Sequence, residues 1–331
     1  MTDGSAEVLL RGRGINKSFG RGSGREQVLF DVNVDVKAGE CLAVIGGSGS
    51  GKSTLTRILL GLETADSGSV EYRGLPVNVA GGSTGGTASA GAASTGAASN
   101  AKPLTLAGMR KLPGFQMLRQ ESGLVFQDPF GSLDPRWTVE RSVAEPLKLS
   151  RDEQADGRGR LAGGTRGAHG VSESRRSRER GNDGDAIAKR VADVLQSVAL
   201  DPAEFMHRYP CDLSGGQAQR VAIARAIVKQ PRLILADEPM SAIDVAARVQ
   251  ILEALQAIVH GTASASDMPG AGVATKPALI IVSHDLGVVQ HLADRIVVLH
   301  KGHVVEQGET AAVLGSPQHP YTKQLIAAAS M

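Results

Sequence analysis

Cysteine is nearly missing from these 331 residues: only Cys41 and Cys211 occur. They are too few and too isolated for a disulfide framework or a thiolate metal cluster, and both read as reduced packing residues. Long hydrophobic runs are missing too. CLAVI at 41–45 and ALIIV at 278–282 are strand-length, far short of the ~20 residues a membrane-spanning helix needs. The opening MTDGSAEVLLRGRG lacks the basic-then-apolar pattern of a signal peptide, so the chain is expected to stay in the cytosol. Charge of one sign is also scarce. With 36 basic and 34 acidic side chains the net charge is +2, which gives no basic field pointing to nucleic acid. What is present, 41% hydrophobic and 21% charged residues, is enough for a sizeable core.

Three stretches depart from this globular pattern: 80–102, 151–184 and 261–277. The first contains AGGSTGGTASAGAASTGAASN, which cannot bury enough surface to order itself. All three are expected to be flexible surface insertions. Although SRRSRER at 174–180 is basic, acidic side chains and glycine surround it, so it reads as solvated.

Between the insertions, strand and helix signals alternate, which argues for an α/β core with parallel strands. VNVDV at 32–36 has period 2, whereas CLAVI, RLILAD and ALIIV are continuous apolar runs of strands buried on both faces. Leu55, Ile58, Leu59 and Leu62 fall at the spacing of one buried helical stripe. RIVVLHKGHVVEQG predicts a hairpin turning at Lys301 and Gly302.

GGSGSGKST at 46–54 lies between a predicted strand and a predicted helix. Gly46, Gly51, Lys52 and Ser53 satisfy G-x-x-x-x-G-K-[ST], and the strand–helix context is what gives that pattern force. Across Gly46, Gly47, Ser48, Gly49, Ser50 and Gly51, backbone N–H groups can close around a β-phosphate. Lys52 reaches the β- and γ-oxygens and Ser53 can ligate Mg²⁺. Thr54 is expected to open the helix, whose dipole faces the α-phosphate. Downstream, LILADEP ends a buried strand on Asp237 and Glu238. Asp237 suits the metal at the C-terminal edge of a parallel sheet, and Glu238 can orient or deprotonate an attacking water. Alone, such an acidic pair is a common turn feature; beside a phosphate loop it gains meaning.

A second glycine turn, DLSGGQAQR at 212–220, opens a helical pattern without a lysine. Together GGSGSGKST, VFQDP, LSGGQAQR, ILADEP, SAID and VSHD stand in the order found in ABC-type ATPases, and the chain resembles one complete nucleotide-binding domain of that family. The resemblance implies a P-loop NTPase fold: a mostly parallel core sheet, an antiparallel β subdomain and a helical subdomain. It implies ATP and Mg²⁺ as cofactors. It assigns Phe19 to adenine stacking, Gln127 to Mg²⁺ and water, His284 to the γ-phosphate, and Asp244 to the nucleotide site. Singly, Phe19 is equally a buried strand residue, Gln127 a surface amide and His284 a satisfied polar group. The resemblance further implies that Ser214, Gly215, Gly216 and Gln217 cap the nucleotide of a partner subunit, offering a hydroxyl, backbone N–H groups and a helix N-terminus to its γ-phosphate.

QDPFGSLDPRWTVERSVAEPL and SPQHPYTKQLIAA resemble the dipeptide, oligopeptide and nickel importer branch, with 309–331 as its characteristic C-terminal tail. That branch implies an ATPase peripheral on the cytoplasmic face of the membrane. Its partners are a second ATPase subunit, identical or paralogous, two membrane permeases and, indirectly, an extracytoplasmic solute-binding protein; no nucleic acid is expected. Gly47, Ile243 and Cys211 depart from the pattern, where an acidic residue, leucine and often histidine are usual. None removes a catalytic group. Some relatives carry a cysteine-rich extension, and with the chain stopping at Met331 no iron–sulfur site is expected. The rival readings are a family member acting on ribosomes or DNA and a catalytically dead regulatory subunit. Against the first stand a single ATPase domain and no sustained heptads; against the second, the presence of Lys52, Gln127, Asp237, Glu238 and His284.

Overall fold

The computed structural model describes residues 7–20, 22–79, 105–149, 173–241, 243–260 and 276–329. In chain order the strands are β1 (Val8–Phe19), β2 (Glu26–Lys37), β3 (Cys41–Ile45), β4 (Ser67–Tyr72), β5 (Leu75–Val79), β6 (Ser122–Val125), β7 (Leu233–Asp237), β8 (Ala278–Val282), β9 (Arg295–His300) and β10 (His303–Glu309). Among the helices are α1 (Lys52–Leu59), α2 (Pro113–Glu121), α3 (Glu173–Ser197), α4 (Gly215–Ile227), α5 (Val245–His260), α6 (Leu286–Leu292) and α7 (Pro320–Ala329). They divide between two compact units, Met1–Gln120 with Ala278–Met331, and Glu121–Pro277.

The first unit holds an antiparallel sheet in the order β2-β1-β4-β5. It also holds β3, which runs parallel to β8 on one side and β9 on the other, Leu42 pairing with Ile280 and Arg295. Every residue of β3 and β8 is buried, as the continuous apolar runs require of strands covered on both faces. The hairpin from β9 to β10 turns at Lys301 (φ 47°) and Gly302 (φ 80°). Positive φ at both central residues is the two-residue turn whose twist matches the strands. In the second unit β6 and β7 are parallel, from Ser122 opposite Leu233 to Val125 opposite Ala236. There Arg220 on α4 donates to the carbonyl of Ala199 at 2.7 Å, just past the end of α3. This is the expected α/β arrangement, with parallel strands, a separate antiparallel sheet and a helical part.

Several expectations need correction. The apolar stripe on α1 stops at Leu59: Gly61 turns the chain with φ 69°, and Leu62 is left 43% exposed. The helix opens at Lys52, two residues before Thr54, with Gly51 as its N-cap. Only Cys41 is a packing residue, since Cys211 is exposed. Residues 173–184, expected within a flexible insertion, begin α3. Arginine and glutamate favour helix, and each residue added to an existing helix gains a hydrogen bond, so the amphipathic 185–197 segment extends backwards despite two glycines. The remainder of that insertion up to 172, all of 80–102 and most of 261–277 lie outside the described residues.

Candidate active site

In the first unit the loop from β3 to α1 is built by its glycines. Gly46, Gly49 and Gly51 have φ of 154°, 72° and 101°, which side-chain-bearing residues rarely adopt. A Cβ on Gly46 would stand 2.2 Å from the Leu299 carbonyl and 2.8 Å from Ser50 Oγ. Lys52 is buried, and its Nζ donates to the carbonyls of Gly46 and Gly47, each at 2.9 Å. The ammonium thus curls back over the loop. Ser50 Oγ is buried with no hydrogen-bond partner, a group that an anion in the loop would satisfy. Ser53 lies exposed in the first turn of α1. The loop therefore fits a phosphate on three counts: a cradle closed to side chains, an orphaned hydroxyl, and a cation at a helix N-terminus.

His284 is exposed just beyond β8. Ser283 N donates to Val44 O at 3.4 Å, which sets this turn at the same sheet edge as the phosphate loop. Asp285 then caps α6, accepting from Gly287 N at 2.9 Å and Val288 N at 3.2 Å. Phe19 ends β1, 43% exposed. Behind it Lys17 Nζ lies 5.0 Å from the ring centroid and donates to Glu63 Oε1 and Thr64 O, both at 2.6 Å. Burial pushes the Glu63 carboxyl up, but hydrogen bonds from Lys17 and Thr64 and the ammonium charge outweigh it and hold the group below its ordinary value.

In the second unit the ends of β6 and β7 bring Gln127 and the acidic pair together. Gln127 Nε2 is 3.4 Å from Glu238 Oε2. Buried Gln219 donates to Phe126 O at 3.3 Å, fixing the residue before Gln127. Asp237 is the last residue of β7. Glu238 has φ 44°, a left-handed conformation uncommon for a residue with a side chain and concentrated at functional sites. Gln127 and Asp237 offer oxygen donors, the chemistry Mg²⁺ prefers. Ser214 is the N-cap of α4: its hydroxyl accepts from Gln217 N at 3.3 Å while Gln217 Oε1 accepts from Ser214 N at 2.9 Å. This capping box holds the first turn of α4 rigid. Asp244 caps α5, accepting from Ala247 N at 2.9 Å. A Cβ on Gly216 would meet Ala247 Cβ at 2.4 Å, so Gly216 is a point of close approach between α4 and α5.

Sequence reasoning missed two supporting contacts. Lys17 buried behind Phe19 is invisible without Glu63, 46 residues away. Tyr321, noted only as part of a tail motif, accepts a hydrogen bond from Gly47 N at 2.7 Å across 274 positions.

Residues 29–241 match the family model described as ABC transporter. The chain is 35% identical over 329 residues to the glutathione import ATP-binding protein GsiA of Salmonella typhimurium, covering 97% of this chain and 41% of that protein. It is 35% identical over 299 residues to the probable peptide ABC transporter ATP-binding protein y4tS of Sinorhizobium fredii, covering 90% of this chain and 64% of that one. The chain thus spans less than two thirds of either relative. Among solved structures, the dimeric bacterial ABC transporter cassette MJ0796 aligns with TM-score 0.61 at 25% identity, covering 91% of this chain and 99% of that one. The fold is also shared with cbiO1 of Clostridium perfringens, at TM-score 0.61 and 23% identity, covering 94% of this chain and 92% of that one.

Proposed function

The chain belongs to the ABC transporter family, and from that premise we propose that it is the ATP-hydrolysing subunit of a binding-protein-dependent importer. The observation that carries the proposal is the phosphate loop, where buried Lys52 folds onto Gly46 and Gly47 beside the partnerless Ser50 hydroxyl. Lys52 exchanges a loop carbonyl for β- and γ-phosphate oxygens, the Gly49–Lys52 amides hold the β-phosphate, and Phe19 receives the adenine. Of the oxygens that suit Mg²⁺, which when bound neutralises phosphate charge, Ser53 stands beside the phosphate loop in the first unit, and Gln127 and Asp237 stand at the ends of β6 and β7 in the second. Glu238, in reach of Gln127, accepts a proton from the attacking water as Gln127 orients it. His284 contacts the γ-phosphate.

Ser214, Gly215, Gly216 and Gln217, with Asp244 at the head of α5, serve the nucleotide of a second ATPase subunit, identical or paralogous. A contact made only when ATP lies between two subunits ties closure to binding and reopening to hydrolysis. Two permeases carry the solute and a solute-binding protein delivers it. No described helix is long and apolar enough to cross a membrane, and the subunit works docked on the cytoplasmic side of the permeases. The names of the similar proteins, one for glutathione import and one for a peptide transporter, favour a short peptide over nickel as the solute.

The experiment is a steady-state assay of the purified chain with its co-expressed ATPase partner and permeases, following phosphate release with and without Mg²⁺ and peptide uptake into vesicles. Mg²⁺-dependent turnover that Lys52→Ala abolishes supports the reading. Turnover unaffected by that substitution overturns it.

A further inference from the structure

We propose that Tyr321 is a positioning residue for the phosphate loop, latching the C-terminal tail to the turn that holds Lys52; the proposal rests on the ATP-binding reading of that loop. The Tyr321 hydroxyl accepts from Gly47 N at 2.7 Å. The carbonyl of the same glycine accepts from Lys52 Nζ at 2.9 Å. One residue is therefore held from both sides, and moving its N–H moves the oxygen on which the lysine rests.

The tail is built to place that hydroxyl. Glu306 on β10 accepts from Gln318 N at 2.8 Å and His319 N at 3.0 Å, fixing the two residues before α7. Tyr321 N then donates to His319 Nδ1 at 3.2 Å, and Thr322 beyond it is fully buried. The Tyr321 ring stacks on His300, with centroids 3.8 Å apart and planes at 29°. His300 ends β9, which lies beside β3, the strand that launches the loop. The ring is thus referenced to the same strands as the loop, and its hydroxyl measures the distance between tail and loop.

Gly47 supplies the room. A Cβ at this position would stand 3.0 Å from Tyr321 Oη, tighter than ordinary contact. A side chain here would press the tyrosine hydroxyl back by a few tenths of an ångström, so glycine allows the hydrogen bond its present length. A loop held by one more hydrogen bond before nucleotide arrives loses less freedom on binding. The latch therefore acts on affinity for ATP and leaves the chemical step alone.

The test is Mg-ATP binding by titration calorimetry, together with KM and kcat for hydrolysis, on wild type, Tyr321→Phe, Gly47→Ala and the double variant. Tyr321→Phe keeps the ring stack and loses only the hydrogen bond. It should raise both Kd and KM about threefold to tenfold, the scale of one hydrogen bond, with kcat within about twofold and the melting temperature nearly unchanged. Gly47→Ala should also weaken binding, but should add little in the Tyr321→Phe background, where the hydroxyl it crowds is gone. Wild-type affinity in Tyr321→Phe, or fully additive effects in the double variant, overturns the latch while leaving the ATP reading intact. A wild-type chain that binds no Mg-ATP overturns the ATP reading itself, and the latch with it.

Discussion

Gln127 Nε2 lies 3.4 Å from Glu238 Oε2, joining residues just beyond the ends of two parallel strands across 111 positions of sequence. The register explains why: Val125 pairs with Ala236, so chains leaving the two strands emerge side by side. At Glu238 the backbone is left-handed, with φ 44°, a conformation uncommon for a residue with a side chain.

The pairing of Gln127 with Glu238 gives the first prediction. Glu238→Gln keeps the shape and the amide partner but cannot take a proton. Hydrolysis by the assembled protein should fall roughly 10²-fold or more, the scale of a lost general base, while Mg-ATP binding persists. Single-turnover phosphate release beside equilibrium binding separates the two effects; turnover within twofold of wild type excludes Glu238 as the base.

Lys52 supplies the second prediction. Its ammonium is buried and held by the carbonyls of Gly46 and Gly47, backbone acceptors of the loop and not core side chains. Lys52→Ala should therefore fold, and bind Mg-ATP at least about tenfold more weakly, the loss of one charged hydrogen bond. Circular dichroism checks the fold and calorimetry the affinity. Retention of full affinity in a folded variant contradicts the assigned role.

How much of this could be read in the residues depends on the range of each interaction. The phosphate loop was legible because all its parts lie within nine positions between a strand and a helix, and the Lys301–Gly302 turn because two residues set its twist. β3 and β8 were legible because burial on both faces leaves an unbroken apolar run. The exposure of Leu62 was not, since periodicity carries on past the helix end that Gly61 imposes. Cys211 looked like core because hydrophobic character is common to packing and surface cysteines. The burial of Lys17 and the reach of Tyr321 to Gly47 were beyond any local pattern, because each is decided by a partner brought up by the fold.

Lys17 and Glu63 give a prediction about pH. Lys17 is nearly buried and Glu63 keeps about a third of its side chain in water, 7% and 31% exposed. Glu63→Gln leaves the ammonium without its countercharge and should cost about 1–3 kcal/mol at pH 7, less than for a fully buried pair. The folded protein holds the Glu63 carboxyl below its ordinary value of 4.5. A depressed carboxylate contributes stability that is complete above the unfolded value and is lost as pH falls through the folded one. The difference between wild type and Glu63→Gln, measured by urea unfolding, should therefore be largest near neutrality and shrink below about pH 4.5. An unchanged difference at pH 7 and pH 3.5 rules out the ion pair as its source.

Two neighbouring glycines at the head of α4 permit a last prediction, because they are neighbours in sequence and opposites in space. A Cβ on Gly215 would meet nothing within 4 Å, whereas one on Gly216 would meet Ala247 Cβ at 2.4 Å. Gly216→Ala should therefore damage the chain itself, forcing α4 and α5 apart at a cost of about 1–3 kcal/mol. Gly215→Asp should leave the isolated subunit folded and able to bind Mg-ATP in its own loop. Its fault should appear only between subunits, where the proposed arrangement sets the new carboxylate against the γ-phosphate of the partner's nucleotide at the Ser214-capped helix end. With hydrolysis blocked by Glu238→Gln and the partner's site likewise disabled, Mg-ATP should drive a stable dimer, seen by size-exclusion chromatography. Adding Gly215→Asp should return it to monomers with the melting temperature unchanged. Dimerisation as strong as in the parent would show that this loop does not face a second subunit's ATP, while monomers accompanied by a lowered melting temperature would trace the fault to folding.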